Sequence, residues 1–152
     1  MSGLHSVIGR VVSRLLVIAQ FVAFAVLLIP GEAPGGRAAG GCLVLAGLLW
    51  LGWTLAHNRL GNFHVRPETR VGARLVTTGP YRLVRHPMYF GALVVGLGLV
   101  VFAPSWLKVA VWLALLAVLI GKAKLEEAAL RRQFADYDVY RRGRRFLVPW
   151  IG

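Results

Sequence analysis

Four apolar runs, parted by stretches rich in arginine, limit what this chain can become. They extend from about Val11 to Pro30, from about Ala38 to His57, from Met88 to Phe102, and from Trp106 to Gly121. The first is interrupted by only Arg14 and Gln20 as strongly polar residues. Roughly 20 residues of helix at about 1.5 Å each match a bilayer core of about 30 Å. That run is long for a cleavable leader, and no clear small-residue cleavage site follows Pro30, so it reads as a membrane helix. The third run is short, because about 15 residues give roughly 22 Å of helix. It must start in the preceding loop, continue into the following turn, or thin the bilayer locally. Ala103-Pro104-Ser105 then reverses the chain, with Ser105 as N-cap of a helix that continues past Gly121 through Lys122 to Gln133.

Composition agrees with a membrane protein. A hydrophobic content of 57% and a mean hydropathy of +0.65 are too apolar for an ordinary soluble domain. Yet 18 Lys and Arg against 6 Asp and Glu leave a formal net charge of +12. Arg10, Arg14, the stretch Asn58 to His86 and the segment after Gly121 hold nearly all of the positive charge. The other two connections hold Arg37 and Lys108. By the positive-inside rule both termini and the central loop are expected to be cytoplasmic, with four membrane helices between them. In a prokaryote that would be the inner (plasma) membrane. Nucleic acid is not an expected partner, since the charge borders apolar segments. Cys42 stands alone in an apolar run, so neither an intrachain disulfide nor a cysteine cluster for a metal is expected.

The resulting expectation is one all-α integral membrane domain. Residues 1–57 form two N-terminal membrane helices, 58–87 a cytoplasmic loop, 88–133 a helical hairpin, and 134–152 a cytoplasmic tail. Trp50, Trp53 and His57 share a helical face at i, i+3 and i+7 and read as packing at the membrane edge.

Leu75 to Gly91 reads Leu-Val-Thr-Thr-Gly-Pro-Tyr-Arg-Leu-Val-Arg-His-Pro-Met-Tyr-Phe-Gly. Gly79-Pro80 signals a turn, and Pro87 suits the first position of a helix. Arg82, Arg85 and His86 thus crowd a helix start, where unpaired N–H groups and the dipole favour an anion. Glu126 and Glu127 are two of the six acidic residues, and Glu126 lies about 31 Å of helix beyond Ser105, one bilayer core away. That depth brings the pair level with Arg85-His86-Pro87. Two readings of the residues stand: an anion-binding, charge-bearing site, or ion pairs that anchor and stitch the hairpin, with Glu126 pairing to Lys122 at i−4.

These residues resemble the isoprenylcysteine carboxyl methyltransferase family. Leu75 to Gly91 is similar to its signature. Glu126-Glu127, Leu130, Phe134, Tyr137, Tyr140, Arg145-Phe146 and Pro149 follow its C-terminal block, and Leu60-Gly61-Asn62-Phe63 with Pro67 fits its upstream loop. The likeness covers Leu60 to Pro149. Ala135-Asp136 depart from it where relatives usually carry Gly, as do Lys122 and Lys124 where an Arg is common. The resemblance implies methyl transfer from S-adenosylmethionine to a lipophilic small molecule or lipid with a carboxylate, thiol or amine acceptor. It implies a cofactor site built by the loop and tail from Gly79, Tyr81, Arg85, His86, Pro87, Tyr89, Glu126, Glu127 and Tyr140, with Arg85 and Glu127 at the chemistry. Two other readings remain: an NADPH-dependent reductase of a sterol-like lipid, whose C-terminal membrane region is similar, and a non-catalytic membrane scaffold. The tail arginines Arg141, Arg142, Arg144 and Arg145 suit a nucleotide phosphate or anionic headgroups equally.

Topology can be tested directly. With Cys42 replaced, Gly35→Cys should react with an impermeant thiol reagent from outside the cell. Thr69→Cys should react only after permeabilisation, and the reverse pattern rejects the arrangement.

Overall fold

The computed structural model describes residues 2–31, 36–58 and 75–148. The family-like loop residues Leu60 to Pro67, and Pro149 and Trp150 of the tail, lie outside them. Among the described residues the chain is all-helical, without a strand; one isolated parallel bridge joins Val84 to Arg145. Helix α1 is Ser2–Leu27, α2 Arg37–Asn58, α3 Pro87–Phe102, α4 Trp106–Gln133 and α5 Tyr137–Arg142. A short 3-10 turn, Gly79–Arg82, precedes α3.

Local chemistry sets most of these ends. Helix α1 starts ahead of Val11 and stops at Leu27, before Pro30, which disfavours helical backbone in its predecessor. Pro87 opens α3, where its missing N–H costs nothing. Ser105 caps α4 as expected, its Oγ accepting from the Lys108 N–H at 3.2 Å. Helix α4 spans 28 residues, about 42 Å, so it outruns a bilayer core of about 30 Å. Two helices, Arg37–Asn58 and Trp106–Gln133, are long and apolar enough to cross a membrane; Val11–Leu27 and Pro87–Phe102 are apolar but shorter.

The expected hairpin of α3 and α4 is present, pinned by Trp112 Nε1 donating to Leu93 O at 3.0 Å. It is not the most extensive pairing. Helix α3 packs chiefly on α2, and α4 chiefly on α1. Glycines explain the first pair. A Cβ on Gly47 would lie 2.7 Å from Val95 Cγ2 and 2.8 Å from Val95 N. One on Gly98 would lie 2.7 Å from Val44 N and 2.9 Å from Gly40 O. Backbones this close give dispersion contact where lipid removes the hydrophobic drive between helices. Since Gly40 faces Gly98 while Gly47 faces Gly91, the two helices run antiparallel. Trp50 locks the other end of that seam: Nε1 donates to Pro87 O at 2.9 Å, and its ring meets Phe90 and Trp53 edge-on. The Trp50, Trp53, His57 stripe is thus packing.

Ala23 and Leu27 of α1 join Leu115, Leu119 and Ala123 of α4 and Leu93 of α3 in the core. The outside is apolar as well. Leu15, Ile18, Phe21 and Val22 on α1, Leu45, Leu48 and Leu49 on α2, and Leu107 and Leu113 on α4 are all exposed. An apolar exterior on this scale suits lipid contact and not water.

The glycine seam carries a stability prediction. Gly47→Leu must push α2 from α3 and should cost about 1–3 kcal/mol. Gly52→Leu on the same helix meets nothing within 4 Å and should be close to neutral. Thermal unfolding in detergent separates the two; equal melting temperatures would remove the seam as the basis of the pairing.

Candidate active site

The site begins with a turn. Gly79 has φ +59°, a left-handed conformation that glycine adopts without a Cβ penalty. A Cβ there would also lie 2.7 Å from the His57 ring. His57 Nε2 and Thr78 Oγ1, 2.7 Å apart, tie the turn to the end of α2. Leu83 N and Val84 N both donate to Pro80 O, at 3.1 and 3.2 Å, which delivers Arg85 and His86 to the start of α3. The tail clasps this segment from the other side. Arg85 N donates to Arg145 O at 2.9 Å, and the Tyr140 hydroxyl donates to Tyr81 O at 2.9 Å.

Glu126 and Glu127, near the end of α4, receive these groups. Arg85 Nη1 lies 2.9 Å from Glu127 Oε1, and His86 Nε2 lies 3.3 Å from the same oxygen. His86 Nδ1 is 3.6 Å from Glu126 Oε2, and the Tyr89 hydroxyl donates to the other Glu126 oxygen. On its second oxygen Glu127 meets Arg131 at 3.6 Å and Arg141 at 4.0 Å. The His86 ring stacks on Tyr89 at 5.6 Å and takes Phe146 edge-on at 5.4 Å. Phe146 also lies under the Arg85 guanidinium, 5.1 Å from ring centroid to Cζ.

Of the residues expected at the site, Arg85, His86, Tyr89, Glu126 and Glu127 therefore form one contact set. Tyr81 and Tyr140 join each other beside it. Pro87 is buried with its carbonyl taken by Trp50, and Gly79 stands apart against His57. Lys122 does not ion-pair with Glu126; its Nζ donates to Gln20 Oε1 at 2.9 Å instead. Sequence reasoning did not place Arg131, Arg141 or Phe146 on the cluster. Arg131 carried a signal, since it lies at i+4 from Glu127 on one helix face. Arg141 and Phe146 carried none, because their approach depends on how the tail docks.

Beside the cluster lies a cleft of about 440 Å³ lined by Arg85, Asp138, Arg141 and Arg142, within the usual size of ligand clefts, about 300–1,000 Å³. Arg85 Nε, the Tyr137 hydroxyl and Arg144 Nε are buried here without a hydrogen-bond partner among the described residues, and Arg85 Nη1 has only its ion-pair contact with Glu127. Burial alone would draw the His86 pKa down. Hydrogen bonds to Glu126 and Glu127, and their charges, outweigh it and raise the pKa above 6.5. Burial pushes the Tyr140 hydroxyl up to about 12, with Glu127 adding to it against Arg144 and Arg85. Tyr81 and Tyr137 are raised in the same way, chiefly by burial. All three phenols stay neutral at physiological pH and can donate.

A family model described as phospholipid methyltransferase matches residues 37–137. The chain belongs to that family. It is the membrane methyltransferase family to which the two motif blocks pointed, and membership indicates methyltransferase activity. No curated protein and no solved structure matches the chain. The phospholipid methyltransferase match takes in Arg85, His86, Tyr89, Glu126, Glu127 and Arg131 of the cluster and ends at Tyr137, before Tyr140, Arg141, Arg145 and Phe146.

The raised His86 pKa has a defined consequence. The folded state binds the proton more tightly than the unfolded chain, so this contribution to stability is full below about pH 6.5. It is lost as pH rises through the higher folded value. Melting temperature should therefore fall over that window, and His86→Gln should flatten this part of the profile. An unchanged slope in the variant would show that His86 is neutral in the fold.

Proposed function

We propose that the chain transfers a methyl group from S-adenosylmethionine to a lipophilic acceptor at the cytoplasmic face of a membrane that its four long helices cross. The observation that carries this is the Arg85, His86, Glu126, Glu127 cluster beside an arginine-lined cleft. The residues fit the cofactor. Its carboxylate asks for a cation with free donors, and Arg85 Nε is buried without a partner. Its ammonium asks for a carboxylate, which Glu126 or Glu127 offers. Tyr81, Tyr89 and Tyr140 offer rings for the adenine and the sulfonium. When bound, S-adenosylmethionine supplies an electrophilic methyl group on sulfur.

The chain's own residues then have three tasks. Arg85 and Glu127 hold opposite charges in fixed positions, so orientation is set before an acceptor arrives. His86 lies between two carboxylates, hydrogen-bonded to Glu127 through Nε2 and facing Glu126 with Nδ1, and its raised pKa favours the protonated form, which cannot act as a general base. Phe146 of the tail packs on His86 and Arg85 and helps to exclude water from the cluster. A carboxylate or thiolate acceptor needs no base at all. An amine or thiol acceptor would need a base, and Glu127, held by Arg85, His86, Arg131 and Arg141, is a weak one.

Calorimetric titration tests the proposal. The protein should bind S-adenosylmethionine, and Glu127→Gln and Arg85→Ala should each weaken binding by about 1.5 kcal/mol or more. Normal binding by both variants, with earlier melting, would make the cluster purely structural. Binding of NADPH in place of S-adenosylmethionine would favour a lipid reductase, and binding of neither a scaffold.

A further inference from the structure

Of the buried lysines, Lys108 and Lys122, the second lies next to the carboxylate cluster without an ion pair to it. Lys122 stands on α4 one turn before Glu126 and is 4% exposed. Its Nζ donates to Gln20 Oε1 of α1 at 2.9 Å and lies 5.1 Å from the centroid of the Tyr89 ring. An ammonium has three donors and a full charge. One amide oxygen and one ring leave it short of both partners and counter-charge. Glu126, one turn on, acts on the ammonium only from beyond ion-pair distance, being held by the Tyr89 hydroxyl and facing His86. Among the described residues no carboxylate lies within ion-pair distance of Lys122.

A buried cation without a counter-ion is costly, and an anion beside it removes much of that cost. The surroundings point to where such an anion would come from. Ser13 and Gln20, seven residues apart on the α1 face that also buries Leu27, put a polar strip into packing that is otherwise apolar. The Ser13 hydroxyl is buried and has no partner among the described residues. Tyr89 links the strip to the cluster, since it stacks on His86, donates to Glu126 and takes the Lys122 ammonium over its ring.

We propose that Lys122, with Gln20, seats the anionic group of the lipid acceptor, a phosphate or a carboxylate on a long apolar chain. The inference rests on the methyl-transfer reading for its purpose but not for its chemistry. Lys122 here fixes which lipids bind and at what depth. Its cation also offsets the repulsion that Glu126 would exert on an anionic ligand.

Binding of hexadecyl phosphate, palmitate and hexadecanol to the whole protein in neutral detergent tests this. The unaltered protein should bind one or both of the anionic lipids about tenfold or more tightly than hexadecanol. Which of them binds tells phosphate from carboxylate. Lys122→Gln should abolish that preference, Lys122→Arg should keep it, and both should bind S-adenosylmethionine as the unaltered protein does. Equal binding of hexadecanol by the unaltered protein overturns the inference, even if the variants fail to fold. So does a preference that survives in Lys122→Gln. Loss of cofactor and lipid binding together in that variant would also overturn it, by making Lys122 a support of the cluster. An anion preference in a protein that never binds S-adenosylmethionine would leave the lipid seat standing and remove the methyl-transfer reading.

Discussion

Glu127 is 7% exposed, and three segments of chain aim four cationic side chains at its two oxygens: Arg85 and His86 before α3, Arg131 on its own helix, and Arg141 on α5. An ion so far from water is stable only if its partners are in place, and removing one partner of such a set is strongly destabilising. The end of α4, the loop before α3 and the tail therefore cannot be arranged independently. Helix α3 inherits its start from this constraint, because Arg85 and His86 precede it directly. With α3 placed at that end, the glycine seam and the Trp50 to Pro87 hydrogen bond settle α2 alongside it.

The same set is more than a stitch. A pair built only for stability needs matched charges, whereas here Arg85, His86, Arg131 and Arg141 outnumber Glu126, Glu127 and Asp138. The excess is positive and opens on a cleft, and low-dielectric walls strengthen its pull on an anion. Arg85 lines that cleft, and its buried Nε is left without a hydrogen-bond partner among the described residues. Fold and candidate chemistry thus draw on one group of residues. Variants there will change both, which is why binding and melting need to be measured on the same protein.

Much of this was legible in the chain. The apolar runs marked all four long helices, Ser105 marked the cap of α4, and the two motif blocks marked Arg85, His86, Glu126 and Glu127 before any contact was seen. What stayed hidden has physical reasons. The Ala103–Ser105 reversal marked α3 and α4 as an antiparallel hairpin, which is present, but it gave no sign of the closer seam in which Gly40 and Gly47 face Gly98 and Gly91 across α2 and α3. The two glycines on each helix are seven residues apart, a spacing that was available as a signal for close packing. Lys122 was open to pairing with Glu126 at i−4, but Tyr89 and His86 claim that carboxylate, and only the α1 to α4 packing brings Gln20 to the lysine. Contacts made by the tail had no local periodicity to reveal them.

The tail matters because of what the helices cannot do alone. The bundle brings Glu126 and Glu127 to its end, but a carboxylate pair left open there would be hydrated, and charges in water attract weakly. Two hydrogen bonds convert the open end into a closed one: Arg145 O accepts from Arg85 N, and Tyr81 O accepts from the Tyr140 hydroxyl. Both link loop to tail through backbone atoms, so they position Phe146 over Arg85 and His86 regardless of side-chain identity at 81 and 145. Aromatic cover then lowers the dielectric around the cluster, which strengthens every charge contact within it. The acceptor proposed to lie beside Lys122, one helical turn from Glu126, then meets charges already held in place by that closure.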